Sequence, residues 1–316
     1  TEIWLERKMN MNNIILKTHN ITKKYGEQLS VNNVNMTIRK GDIYGFIGRN
    51  GAGKTTLIRL ITGLVKPTSG EVELFGKSNE NAVNEGRAYI GSLIENPTFY
   101  KNMTAKENLE VSRLVRNIPN KENIDQVLEL VGLGDVGKKK VKNFSLGMRQ
   151  RLGIANALLG NPRLLILDEP INGLDPIGIV EIREVLKNIN KEKNMTILIS
   201  SHILGELSEL ATTYGIISEG ILIEEITSEK LKEKCKQYID LRVNDTKKAV
   251  AILEQQLNIN DYEVLENNKI KIFSNLDDVA LINAALVKDG ILVNKIAARG
   301  VNLEEYFLEA IGRNGK

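Results

Sequence analysis

Gly48-Arg49-Asn50-Gly51-Ala52-Gly53-Lys54-Thr55-Thr56 lies between the apolar run Ile43-Tyr44-Gly45-Phe46-Ile47 and a set of apolar residues, Leu57, Ile58, Leu60 and Ile61, spaced as on a helix. A glycine-rich turn from a buried strand into a helix, in the pattern G-x-x-x-x-G-K-[ST], points to phosphate binding. Glycines let successive N–H groups turn into one concavity. The helix N-terminus adds partial positive charge there. Lys54 is expected to reach the β- and γ-phosphates, and the Thr55 hydroxyl to ligate Mg²⁺. The expected nucleotide contacts are Gly48, Asn50, Gly51, Ala52, Gly53, Lys54, Thr55 and Thr56.

Working outward, a chain of 316 residues has room for two domains, and 42% hydrophobic content is ample for their cores. The net charge of +3 is spread along the chain, with no basic block interleaved with aromatics. A nucleic-acid partner is therefore not expected. The single Cys235 cannot close an internal disulfide and fits a reducing compartment. No apolar run approaches the length of a membrane span, so any membrane role is expected to run through a partner. Residues 1–11 are expected to be a disordered overrun or tag, with Met9 and Met11 as candidate starts.

Strands are expected at Ile14–Ile21, Val31–Ile38, Ile43–Ile47 and Glu71–Leu74. Residues from about 87 to 160 read as helical, closing with a strong helix over Leu146–Leu159 that Asn161-Pro162 stops. Short apolar runs then return at Leu164–Leu167, Thr196–Ser200 and Tyr214–Ser218, separated by helical patterns. That alternation predicts a mostly parallel sheet flanked by helices. After about Ser228 the order becomes β-α-β-β-α-β, with a hairpin around Asn267-Asn268. This is the split-βαβ pattern of a small ferredoxin-like domain, and it carries no catalytic constellation.

A phosphate loop needs a partner that holds Mg²⁺ and activates water. Leu164-Leu165-Ile166-Leu167-Asp168-Glu169-Pro170 supplies one: an acidic pair at the carboxyl end of a buried strand, where parallel sheets bind ligands. Asp168 is expected to hold the Mg²⁺ shell and Glu169 to polarise the attacking water.

With these motifs in this order, the chain resembles the nucleotide-binding subunit of an ABC transporter over roughly Ile14 to Glu225. The resemblance implies an α/β P-loop NTPase cassette at 12–228, a mixed sheet with a helical subdomain, followed by an accessory ferredoxin-like α+β domain at 229–316. It implies ATP and Mg²⁺, with Lys54, Glu169 and His202 as catalytic residues. Tyr25 matches the aromatic that stacks on adenine. Phe144-Ser145-Leu146-Gly147-Met148 matches the signature sequence, usually Leu-Ser-Gly-Gly-Gln, so Ser145 and Gly147 would face the γ-phosphate held by a second copy of the chain. Gly173-Leu174-Asp175 matches the loop that crosses this dimer interface, and Ser200-Ser201-His202 the switch histidine.

Two departures stand out. The signature has Leu146 and Met148 in place of a glycine and the glutamine. In Ile90-Gly91-Ser92-Leu93-Ile94-Glu95-Asn96-Pro97, Glu95 stands where the family has a glutamine that senses Mg²⁺ and the membrane partner. Glu95 is thus expected to touch both nucleotide and metal, beside Thr55 and Asp168. The run Ile94–Tyr100 resembles the subgroup that exports peptide antibiotics such as bacitracin and lantibiotics. The implied function is an ATP hydrolase powering an exporter, with integral-membrane permease subunits as partners, on the inner face of the cell membrane. A second reading is a soluble ATPase of the same superfamily acting on a non-membrane partner. Ribosome-acting relatives usually carry two cassettes and DNA-repair relatives a coiled-coil insert; this chain has one cassette and no heptad insert.

Overall fold

A computed structural model describes residues 13–95, 97–235, 237–300 and 303–312. The expected overrun at 1–11 lies outside the described residues. The chain divides into two compact units, the first reaching Ser228 and the second spanning Glu229–Glu309.

In chain order the strands of the first unit are β1 (Ile14–Tyr25), β2 (Gln28–Val34), β3 (Thr37–Arg39), β4 (Ile43–Ile47), β5 (Ser69–Leu74), β6 (Ile90–Leu93), β7 (Leu164–Asp168), β8 (Thr196–Ser201), β9 (Thr213–Ser218) and β10 (Ile221–Thr227). Uninterrupted apolar runs become the interior strands. Every residue of β4, β7 and β8 is buried, as in a parallel sheet covered on both faces. These strands belong to a six-stranded sheet ordered β10-β9-β4-β8-β7-β6. All its pairings are parallel except β9 with β10. Strand β8 therefore sits between β4, which feeds the glycine-rich turn, and β7, which ends in Asp168.

A second sheet places β2, β3 and β5 antiparallel to β1. Its Leu16, Val31 and Ile38 pack in one core with Phe46, Leu57 and Ile61. Each such side chain contributes about 1.5–3 kcal/mol by burial. The strand expected over Val31–Ile38 is in fact two. The chain crosses at Asn35-Met36 from one half of β1 to the other. Thr18 Oγ1, fully buried, donates to Val34 O at 3.0 Å and accepts from Met36 N–H at 2.9 Å. Asn35 Oδ1 accepts from Asn20 N–H at 2.8 Å. These side chains satisfy the backbone groups that a continuous ladder would have paired.

The helical reading from residue 87 is also corrected. Ile90–Leu93 is an edge strand, hydrogen-bonded in parallel to Leu164–Leu167. Four residues are too few to declare a period. A Cβ on Gly91 would come within 2.1 Å of Ala157 O, so glycine lets this strand pack directly on a helix backbone. The helices Ala105–Val115, Asn123–Leu130 and Leu146–Leu158 follow. Thr104 and Glu107 open the first of them with a reciprocal capping box.

The second unit contains β11 (Tyr238–Val243), β12 (Tyr262–Leu265), β13 (Lys269–Ile272) and β14 (Val293–Arg299), with helices Thr246–Gln255 and Val279–Lys288 between them. The sheet order β12-β13-β11-β14, antiparallel throughout, is the ferredoxin-like arrangement. Asn267 and Asn268, in the three-residue turn that joins β12 to β13, both take positive φ, 60° and 57°, which asparagine tolerates better than most residues. Ile239, Leu241, Ile252, Ile270, Ile282 and Leu286 form its core. Among the described residues, no helix is long and apolar enough to cross a membrane.

Candidate active site

The turn after β4 enters the helix Lys54–Thr62 through Gly53, at φ 106°. A Cβ there would meet Ser30 O at 2.5 Å, so both conformation and space select glycine. Gly53 offers no side-chain cap, which leaves first-turn N–H groups to face an anion. A cavity of about 290 Å³ opens beside them, lined by Gly51, Lys54, Thr55, Thr56, Glu169 and Gln28 among others.

One charged pair and one hydrogen-bonded carboxylate are built beside this cavity. Lys54 is buried, and its Nζ donates to Gly48 O at 2.7 Å and lies 3.0 Å from Glu169 Oε1. Asp168 is likewise buried. Thr55 Oγ1 donates to its Oδ2 at 2.8 Å, and Ser200 Oγ donates to its Oδ1 at 2.6 Å. A buried carboxylate is tolerated only with such partners. The hydroxyl and carboxylate are hard oxygen donors, the set Mg²⁺ takes when phosphates and water complete its shell. Among the described residues no cluster of three or more His, Cys, Asp or Glu could hold a metal by itself.

Glu169 has φ 48°, a conformation that L-residues avoid. Its surroundings fix it: its N–H donates to Ser200 Oγ at 2.9 Å, and Asn172 Nδ2 donates to Oε2 at 3.2 Å. His202 Nδ1 also lies 3.2 Å from Oε2, at an angle too poor for a hydrogen bond. So Lys54, Thr55, Asp168, Glu169 and His202 come together at the carboxyl ends of β4, β7 and β8. Ser200 and Asn172 join them, and neither was singled out as a site residue from the sequence. The parallel register that sets Ser200 beside Asp168 is the signal that finds Ser200.

The family profile described as ABC transporter matches residues 31–172. The bacitracin transport ATP-binding protein BcrA of Bacillus licheniformis is 50% identical over 298 residues, covering 94% of this chain and 97% of the relative.

The chain belongs to the ABC transporter ATP-binding family.

Further along in similarity, the lantibiotic transport ATP-binding protein SrtF of Streptococcus pyogenes is 49% identical over 211 residues, 67% of this chain and 90% of the relative. Among solved structures, the ATP-binding cassette MJ0796, dimeric in a post-hydrolysis state with ADP and Pi, superposes with a TM-score of 0.60 at 26% identity. It covers 68% of this chain and 99% of its own.

The remaining ABC site residues fall elsewhere. Tyr25, 45% exposed at the end of β1, pairs across the ladder with Gln28 of the cavity wall, under the Lys23 ammonium at 4.9 Å. Ser145 caps the helix Leu146–Leu158, accepting from Met148 N–H at 3.1 Å. Asp175 caps Pro176–Lys193 in the same way through Gly178 N–H at 2.8 Å. Ser145, Gly147 and Asp175 do not line the cavity at Lys54. The Glu95 carboxylate pairs with Arg59, one helical turn beyond Thr55.

Proposed function

We propose that this ABC cassette hydrolyses Mg²⁺-ATP as a head-to-tail homodimer and powers export of peptide antibiotics through separate integral-membrane permease subunits, on the inner face of the membrane. The observation that carries the hydrolytic part is the junction of Lys54 with Glu169 and of Thr55 with Asp168 at one cavity. Lys54 and the turn's N–H groups bind and orient the phosphates. Thr55 and Asp168 would hold Mg²⁺, which would neutralise developing charge on the phosphate oxygens. Glu169 takes the proton of the attacking water, and His202, whose Nδ1 lies 3.2 Å from the same carboxylate, would contact the γ-phosphate.

Ser145 and Gly147 of the second copy would close the other face of the γ-phosphate. The cargo class is supported by the likeness to relatives named for bacitracin and lantibiotic transport. The test is a deletion strain challenged with bacitracin and with a lantibiotic, complemented by the wild type or by Glu169→Gln. Restored resistance with the wild type only is expected. Equal sensitivity of parent and deletion strains to both drugs would remove the cargo assignment.

A further inference from the structure

The second unit has a polar side that the cassette chemistry leaves unused. Along β11, Ile239, Leu241 and Val243 face the apolar core, so Asp240 and Arg242 face the opposite side of the sheet. In the ladders Asp240 lies opposite Lys271, and Arg242 lies opposite both Lys269 and Lys295. Glu263 on β12 stands opposite Lys271. Among the described strand residues, this side therefore gathers Arg242, Lys269, Lys271, Lys295 and Arg299 against Asp240 and Glu263.

The acids are already engaged. Lys295 Nζ donates to Asp240 Oδ2 at 2.6 Å, Lys269 Nζ lies 3.5 Å from Oδ1, and Lys271 Nζ is 3.8 Å from Glu263. Arg242 is exposed and has no acidic partner among the described residues. At this end of the sheet lies a cavity of about 570 Å³, lined by Arg242, Val243, Asn267, Asn268, Asn294 and Lys295. That volume falls in the range of small-ligand sites. Its rim is rigid. The Asn267-Asn268 turn is tied to the main chain through Val243 N–H to Asn268 O at 3.2 Å and Asn268 Nδ2 to Asn244 O at 3.2 Å. Asn244 Oδ1 in turn accepts from Leu292 N–H at 3.0 Å. The side chains of Asn267 and Asn294 have no hydrogen-bond partner among the described residues.

We infer that this cavity binds a small phosphate-bearing molecule. Arg242 supplies a planar fork for two phosphate oxygens, Lys295 and Lys269 share one carboxylate and so leave one net positive charge, and the asparagine amides supply the uncharged hydrogen bonds that orient the rest. An open site with an exposed guanidinium and few basic residues suits a compact dianion better than an extended polymer, which needs a continuous basic track. The second unit is then a ligand-binding module, and this holds whether or not the cassette exports peptides.

The test reads Arg242 directly in the full-length chain, so it does not depend on the ATP site. Modification of Arg242 by phenylglyoxal is followed by peptide mass spectrometry with pyrophosphate, with AMP, with an RNA oligonucleotide, with anionic vesicles, or with sodium chloride at matched ionic strength. Saturable protection by pyrophosphate or AMP is expected. It should weaken about tenfold in Asn294→Ala, an exposed substitution that leaves Arg242 in place, on the scale of lost hydrogen bonds in one site. Protection equal to that in sodium chloride, or protection by RNA or vesicles alone, overturns the proposal.

Discussion

Ser200 Oγ donates to Asp168 Oδ1 at 2.6 Å while accepting the Glu169 N–H at 2.9 Å. One fully buried hydroxyl on β8 thereby fixes two neighbouring carboxylates on β7. It holds the first against Thr55 and locks the second in its positive-φ conformation. Ser200→Ala leaves a buried carboxylate oxygen and a backbone donor without partners, at a cost of about 1–3 kcal/mol. The expected result is a lower denaturation midpoint together with a fall in ATPase kcat larger than any change in KM. A variant with wild-type kcat would show that Ser200 does not position the pair.

Glu169→Gln keeps the shape of the side chain and removes its charge. Lys54 loses the carboxylate 3.0 Å away but keeps the Gly48 carbonyl, so ATP binding is retained. Losing a general base lowers the rate by roughly 10²–10⁴-fold. With ATP the variant is expected to elute as a stable dimer on gel filtration and to release phosphate very slowly. Normal phosphate release would take Glu169 out of the chemistry.

Much of this was legible in the sequence because it is local. Gly48–Thr56 and Leu164–Glu169 are contiguous runs whose composition states both strand burial and the chemistry at the strand end. The second unit was legible because the alternation of short strands and helices has one common solution. What was not legible depends on register between distant segments. Ser200 gains its role only because β8 lies beside β7 in a register that sets it against Asp168. The break at Asn35-Met36 needs Thr18, a residue of another strand, to supply the missing hydrogen bonds. The pairing of Glu95 with Arg59 is likewise set by how the loop after β6 meets the helix Lys54–Thr62, not by any local run of sequence.

The Arg59–Glu95 pair is partly exposed, with side chains 38% and 62% accessible, so it contributes only about 0–1 kcal/mol to stability. Its value lies in position. It joins the helix that begins with Lys54 and Thr55 to the loop expected to contact a permease. Arg59→Ala and Glu95→Gln should therefore leave thermal stability and basal ATPase close to wild type. Both should reduce drug resistance in complemented cells. If resistance and ATPase are each unchanged in both variants, the pair plays no part in coupling.

Asp240 gives the second unit an acid-labile contact. Burial raises its carboxyl, but the hydrogen bond from Lys295 and the charge of Lys269 outweigh burial and hold it below the usual value. A folded-state value below the unfolded one, about 3.9, means the contribution is fully present above that pH. It is lost as pH falls through the lower folded value. Hydrogen exchange in a peptide covering Tyr238–Val243, corrected for intrinsic rates, should show protection at neutral pH that falls away below about pH 4. Asp240→Asn removes the titrating charge and leaves Lys269 and Lys295 facing each other, at a cost of roughly 1 kcal/mol or more, since both lysines keep part of their hydration. Its protection at neutral pH should be lower than wild type and should change less on acidification. Equal pH dependence in the two proteins would show that another group, not Asp240, sets the acid sensitivity of this sheet.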